Sequence, residues 1–146
     1  MPAWSRMAAV AEQYLTAYAV DPSRVVPTDP PVGKATLPGR HWDELTPAFA
    51  AWGLTALADL WSRPWPTTAG DPWPFPMYAD PAHVARIEAE LAAFDITRVH
   101  DECDLLPDGD DDADEVAWLL TEKLPQWLQA ARTSARGLYI LRDGAK

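Results

Sequence analysis

The chain has 146 residues, 48% of them hydrophobic, with a formal net charge of −10 and a pI of about 4.5. That length predicts one domain, 1–146, and the ordinary apolar content excludes wholesale disorder. The negative charge excludes long-range attraction to nucleic-acid phosphates or anionic lipid and favours a basic protein partner.

Residues 3–19 place Trp4, Met7, Ala8, Ala11, Tyr14, Leu15 and Tyr18 at three- and four-residue spacing, which predicts a first helix ending at Asp21-Pro22. Residues 22–40 hold several prolines and little periodicity, so an irregular loop is expected, with Arg24-Val25-Val26 as a candidate short edge strand. Thr46-Pro47 is a helix start, a hydroxyl cap followed by Pro at the first helical position, and the helix should run to about Ser62. Residues 63–79 carry five prolines, which forbid a regular helix or a central strand there.

Asp80-Pro81 opens a third helix by the same logic. Val84, Ile87, Leu91 and Phe94 form its apolar stripe, and Arg86 and Glu90 are spaced to pair across one turn. Ile96-Thr97-Arg98-Val99-His100 predicts a short strand. A helical pattern resumes near Ala113 with Val116, Leu120, Leu124, Trp127 and Ala131, and Pro125 within it predicts a kink or two abutting helices. Gly137 is a candidate C-terminal cap, residues 138–142 a strand and Asp143-Gly144 a turn. Together these predict an α+β, predominantly helical domain with four to five helices and a two- or three-stranded sheet; an all-α bundle is the alternative.

Charge is distributed very unevenly. Residues 101–115 contain nine of the 22 acids and none of the 12 Lys and Arg residues, so the rest of the chain is nearly neutral. Asp108, Asp110, Asp112 and Asp114 alternate like the early ligands of a calcium loop. However, Ala113 stands where that loop needs Gly, and Leu119 where it needs a bidentate Glu. A solvated turn at a helix N-terminus explains two or three of the acids through the macrodipole, with Asp112 and Glu115 spaced as a capping box. Nine acids exceed what a cap requires, and clustered charge raises association rates with a basic surface. The partner-binding candidates are therefore Asp108, Asp110, Asp111, Asp112, Asp114 and Glu115.

The chain also holds eight Trp and 15 Pro. Pro64-Trp65-Pro66 and Pro72-Trp73-Pro74-Phe75-Pro76 mount large rings on a stiff backbone, which lowers the entropy lost on docking. Trp73 and Phe75 are candidate anchors for a partner; the alternative is that such rings fold back into helix grooves.

Catalytic chemistry finds no motif. His100, Glu102 and Cys103 mix metal-ligand types, but a zinc site needs three or four converging ligands, with His41 or His83 as distant completions. His41, Asp43 and Glu44 offer acid–base groups just before a helix. Glycine-rich phosphate loops and the nucleophile elbow are absent, so no cofactor, metal or catalytic set is assigned. The lone Cys103 permits no intrachain disulfide, and residues 1–6 lack the features of a signal peptide, so a cytoplasmic protein without membrane association is expected. The functional expectation is a small acidic interaction protein of inhibitor, antitoxin or immunity type. The alternative is a small enzyme or ligand-binding domain with a Trp- and Tyr-lined apolar pocket and His41, Glu44 or His100 as polar groups.

Overall fold

The computed structural model describes residues 13–37, 45–62, 75–106 and 109–144. It is a mixed α+β fold in which helices cover one face of an antiparallel four-stranded sheet. The strands are β1 (Gln13–Val20), β2 (Gly33–Leu37), β3 (Phe75–Ala79) and β4 (Gly137–Gly144), in the spatial order β2-β1-β4-β3. The helices are α1 (Thr46–Ala51), α2 (Thr55–Ser62), α3 (Pro81–Ala93), α4 (Thr97–Asp101), α5 (Asp110–Trp118) and α6 (Leu124–Thr133). A 3₁₀ turn at Cys103–Leu105 follows α4, and a π turn at Leu119–Lys123 joins α5 to α6.

β1 replaces the predicted first helix; residues 3–12 lie outside the described part. Tyr14, Leu15 and Tyr18 fit a helical stripe, but the same segment also alternates. Leu15 and Ala17 are fully buried, whereas Tyr14 is exposed and Thr16 and Tyr18 are half-buried. Period two with Tyr, Thr and Val suits a half-buried strand. Pairing decides the matter, because β1 is central, with β4 along its whole length and β2 on its other side.

β2 lies inside the region expected to be irregular. The candidate strand at residues 24–26 is instead irregular chain following a turn over residues 21–24, in which Asp21 Oδ1 accepts from the Ser23 backbone N–H and hydroxyl. β3 likewise occupies the end of the proline-rich stretch. Pro76 is compatible with it because β3 is an edge strand. The predicted β4 is longer than expected: Gly137 begins it instead of capping a helix, and Asp143-Gly144 continue the ladder opposite Tyr14 and Gln13.

The helix predicted over 46–62 is two helices. Gly53, at φ 80°, breaks it after Trp52. Thr46 makes no side-chain cap bond. The α2 N-terminus is capped from a distance by Glu90 on α3, whose carboxylate accepts from Ala56 N–H at 2.9 and 3.0 Å, Leu57 N–H at 3.4 Å and the Thr55 hydroxyl at 2.8 Å. Glu90 therefore faces α2, where a carboxylate satisfies orphan N–H groups and meets the positive end of the dipole. This is not the Arg86 pairing that its spacing predicts. α3 itself begins as expected, with Asp80 accepting from the His83 N–H at 2.8 Å.

The core lies between the sheet and the helices. Leu15, Ala17, Met77, Ala79, Leu138 and Ile140 form its sheet side, all fully buried. Phe49, Leu57, Trp61, Ile87, Trp127 and Leu128 meet them from the helices. α6 packs on β1 and β4, α3 on β3 and β4, and α2 on β3. Arg142 is buried at the same level, its guanidinium 5.0 Å from the Trp61 ring centroid, a cation–π contact that lets a charge sit near an apolar core. The opposite sheet face carries all four tyrosines. Register aligns Tyr18, Tyr139 and Tyr78 in one row across β1, β4 and β3. The Tyr18 and Tyr139 rings meet edge to face at 6.1 Å, and burial pushes the Tyr78 and Tyr139 phenols up.

Candidate functional site: an acidic face beside an apolar groove

The predicted strand over 96–100 is the short helix α4. Its local cause is Asp95, whose Oδ1 accepts from the Thr97 N–H at 3.0 Å and hydroxyl at 2.7 Å, turning the chain into a helical start. These two bonds hold the Asp95 carboxyl below the usual carboxylate range. Val99 is fully buried and anchors α4. Arg98 pairs with Glu102 one turn on, at 2.7 Å, and also donates to the Trp52 carbonyl at 3.3 Å. The bond from Arg98 is the main cause holding the Glu102 carboxyl low.

α5 starts at Asp110, three residues before the predicted Ala113, with Gly109 in the cap position. Asp112 is thus in the first turn and does not act as the cap. Ala113, Val116 and Leu120 recur at helical spacing and are buried, which points Asp110, Asp111 and Asp114 outward. Three acids in the first turn suit the positive end of the helix dipole.

Two contacts tie α4 and the 3₁₀ turn that follows it to α5. His100 Nε2 lies 2.8 Å from Asp114 Oδ1, and Cys103 Sγ donates to Asp110 Oδ1 at 3.5 Å. The His100–Asp114 pair is exposed and contributes little to stability. With the Cys103 contact its consequence is positional, bringing beside α5 the segment that carries Asp101, at the end of α4, and Asp104, in the 3₁₀ turn; these two and Asp110, Asp111 and Asp114 of α5 are all exposed.

Of the sequence candidates, the structure brings Asp110, Asp111 and Asp114 together on this face. Asp112 is a correction: it is 4% exposed and turned inward, so it is unavailable to a partner. Glu115 is half-buried. Asp108 and Trp73 lie outside the described residues. Phe75 is the first residue of β3, paired with Arg142, away in the chain from the acidic face.

Among the described residues the metal alternative finds no geometric support, and the acid–base group of His41, Asp43 and Glu44 lies outside them. Among the described residues no group of three or more His, Cys, Asp or Glu side chains is placed to hold a metal ion. Asp110, Asp112 and Asp114 lie on a helix, where alternate residues point away from one another instead of turning into one loop. The Cys103 thiol is pushed up by burial, and then by the Asp110 hydrogen bond and nearby carboxylates, which keeps it a protonated thiol. His83 is buried, its Nε2 2.7 Å from the Ala56 carbonyl, and so joins α3 to α2. His41 and Glu44 lie outside the described residues. Trp52, Trp61 and Trp127 are core residues, and Trp118 is half-buried beneath Lys123 at 5.2 Å.

Sequence reasoning missed the apolar groove next to the acidic face. Its volume is about 380 Å³, within the range of small-ligand and anchor-residue sites. Leu120 and Leu128 form its floor and Leu91, Phe94 and Ile96 its walls, with Glu88, Ala92, Thr121 and Pro125 at the rim. Pro125 shapes it. Lacking an N–H, it cannot donate the helical hydrogen bond to the Thr121 carbonyl, and the chain widens into the π turn on which Leu120 and Thr121 sit. The signals for the groove were the predicted stripe of α3 and the predicted kink at Pro125. Nothing in the sequence showed that Leu91 and Phe94 would be only half covered.

Compared with protein-family models, curated proteins and solved structures, the chain matches none. Its class is therefore stated from its own architecture: a helix-covered, four-stranded antiparallel α+β fold. Among the described residues no helix is long and apolar enough to cross a membrane.

Proposed function

We propose that this chain is a small cytoplasmic interaction protein that binds, and by binding neutralises, a basic macromolecular partner. The observation that carries the reading is the set of five exposed aspartates, Asp101, Asp104, Asp110, Asp111 and Asp114, on α4, the 3₁₀ turn and α5, which His100 and Cys103 tie together. Charge held on a fixed scaffold steers a partner of opposite sign and selects against partners of the same sign. Packing gives no other reason for so much exposed charge: α5 is already anchored by Ala113 and Val116, and macrodipole complementation needs only its first turn. The free thiol of Cys103 fits a reducing compartment.

The test is capture from host lysate with the tagged protein, at low and high salt, beside a variant carrying Asp104, Asp110, Asp111 and Asp114 as Asn. One dominant basic protein, lost at high salt and lost with the variant, supports the proposal. Equal capture by both baits at both salt concentrations contradicts it.

A further inference from the structure

We propose that the apolar groove and the acidic face form one docking surface for a basic, amphipathic segment of a partner protein. The segment's large apolar side chain would enter the groove while its basic residues lie on the aspartates. This deepens the basic-partner reading and rests on it.

Continuity is the first argument. Thr121 at the groove rim and Asp114 are seven residues apart, two turns, and so share one side of the α5 and π-turn rod. They are separated by about 10 Å along the axis. Half-buried Ala117 lies between them and accepts the Thr121 hydroxyl at 2.8 Å. On the neighbouring element, Ile96 in the groove wall stands one turn before His100, which holds Asp114. A strip about two helical turns long thus runs from an apolar hole to a cluster of carboxylates.

Charge decides the occupant. A second copy of this chain would bring another −10 to the surface and would set its own carboxylates against these. A cationic segment meets attraction at the carboxylate end of the strip; at the groove end Glu88 is already paired with Arg132 at 3.1 Å, which leaves that end to an apolar side chain. The spacing matches an amphipathic helix that offers an anchor at one position and basic residues about two turns away, the pattern of helix-in-groove recognition. A volume of about 380 Å³ accommodates one or two large apolar side chains.

The test uses three labelled peptides of equal length and measures fluorescence anisotropy. One has a Leu stripe with a Lys face, one the same stripe with Gln for Lys, and one the same Lys with Ser for Leu. Two variants block the groove at exposed rim positions, Ala92→Trp and Thr121→Trp, so that a folding defect in one does not remove the test. The Leu/Lys peptide should bind tighter than either control, and each blocking variant should weaken it about tenfold, as loss of a buried anchor does. If the Ser/Lys peptide binds equally well and both blocked variants bind like wild type, the groove is overturned and the acidic face survives. If the Leu/Gln peptide binds equally well and the four-Asn variant binds like wild type, the acidic reading itself fails. Self-association of the protein that Ala92→Trp abolishes would assign the groove to a second copy and overturn the proposal. So would saturable binding of a small uncharged apolar probe with none of the Leu/Lys peptide.

Discussion

Removing the Glu90 side chain should weaken the coupling of α2 to α3, leaving the His83 contact with the Ala56 carbonyl. Its carboxylate accepts from two backbone N–H groups and one hydroxyl at the start of α2. Hydrogen bonds to a charged group contribute about 1.5–3 kcal/mol when the donors are left without it. The interaction with the dipole adds about 0.3–1 kcal/mol. Water reaches this end through a groove lined by Glu90, Trp52, Leu54 and Arg98, and will recover part of the loss. Glu90→Ala is therefore expected to destabilise by about 2 kcal/mol, and Glu90→Gln by about 1 kcal/mol, because the amide keeps one acceptor oxygen but loses the charge. For a chain of this length those values correspond to a Tm lower by roughly 4–8 °C and 2–4 °C. Urea unfolding followed by Trp fluorescence would measure both, since Trp52 and Trp61 flank the contact in sequence. A Glu90→Ala protein within about 0.5 kcal/mol of wild type, the range of a neutral surface change, would refute the capping role and restore the Arg86 pairing as the residue's main use.

Three other expectations follow from local geometry. Ala135 holds φ 56° at the end of α6, where Arg136 N–H bonds the Ala131 carbonyl and Ala135 N–H the Arg132 carbonyl. Ala135→Gly should therefore raise stability by about 0.5–1 kcal/mol, the left-handed penalty less the entropy glycine adds to the unfolded chain, and a lower urea midpoint would count against it. A Cβ at Gly33 would press on the Trp127 indole, 2.7 Å from its Cδ1; Gly33→Ala should cost about 1–3 kcal/mol by overpacking, visible as a shift in Trp emission and a lower Tm. Glu102 is held low by Arg98, so its contribution is present above the unfolded Glu value and disappears as pH falls through the lower folded one. Glu102→Gln should be less stable than wild type at neutral pH and equal to it well below pH ~4, and a difference that persists in strong acid would show that the side chain acts through packing instead.

How far the sequence discloses the fold depends on whether local signals agree. At Asp80-Pro81 an N-cap, a Pro at the first helical position and a clean apolar stripe coincide, and α3 forms as predicted. Pro125 likewise announces the irregular turn between α5 and α6. Residues 13–20 carry two patterns at once, since Tyr14, Leu15 and Tyr18 satisfy a helix and Leu15 and Ala17 a strand. Only the ladder with β4, formed across more than 100 residues of chain, selects between them. β2 is short and polar, and only its neighbour makes it a strand. Residues 96–100 predict a strand because Ile, Thr and Val favour strands, but the turn that Asp95 sets just before them dominates locally.

The acidic face was legible as charge and illegible as shape. Nine acids in residues 101–115 identify the region, but which of them face outward depends on where α5 begins. Starting at Asp110, the helix buries Asp112 and exposes Asp111 and Asp114. A start near Ala113 would have left Asp112 as an exposed cap. The groove was not legible, because Leu91 and Phe94 continue the stripe of Val84 and Ile87 and read as core like them. Their partial exposure arises from the widened turn opposite, a property of packing between elements.

The most direct measurement of the central claim is the association rate of the captured basic partner with wild type and with the four-Asn variant, taken from about 0.01 M to about 1 M salt as the Debye length shrinks from about 30 Å to about 3 Å. The wild type should associate fast, with a rate that falls steeply with salt, and the variant about tenfold more slowly at low salt, with a nearly flat dependence. Rates and salt slopes that coincide for the two proteins would contradict it.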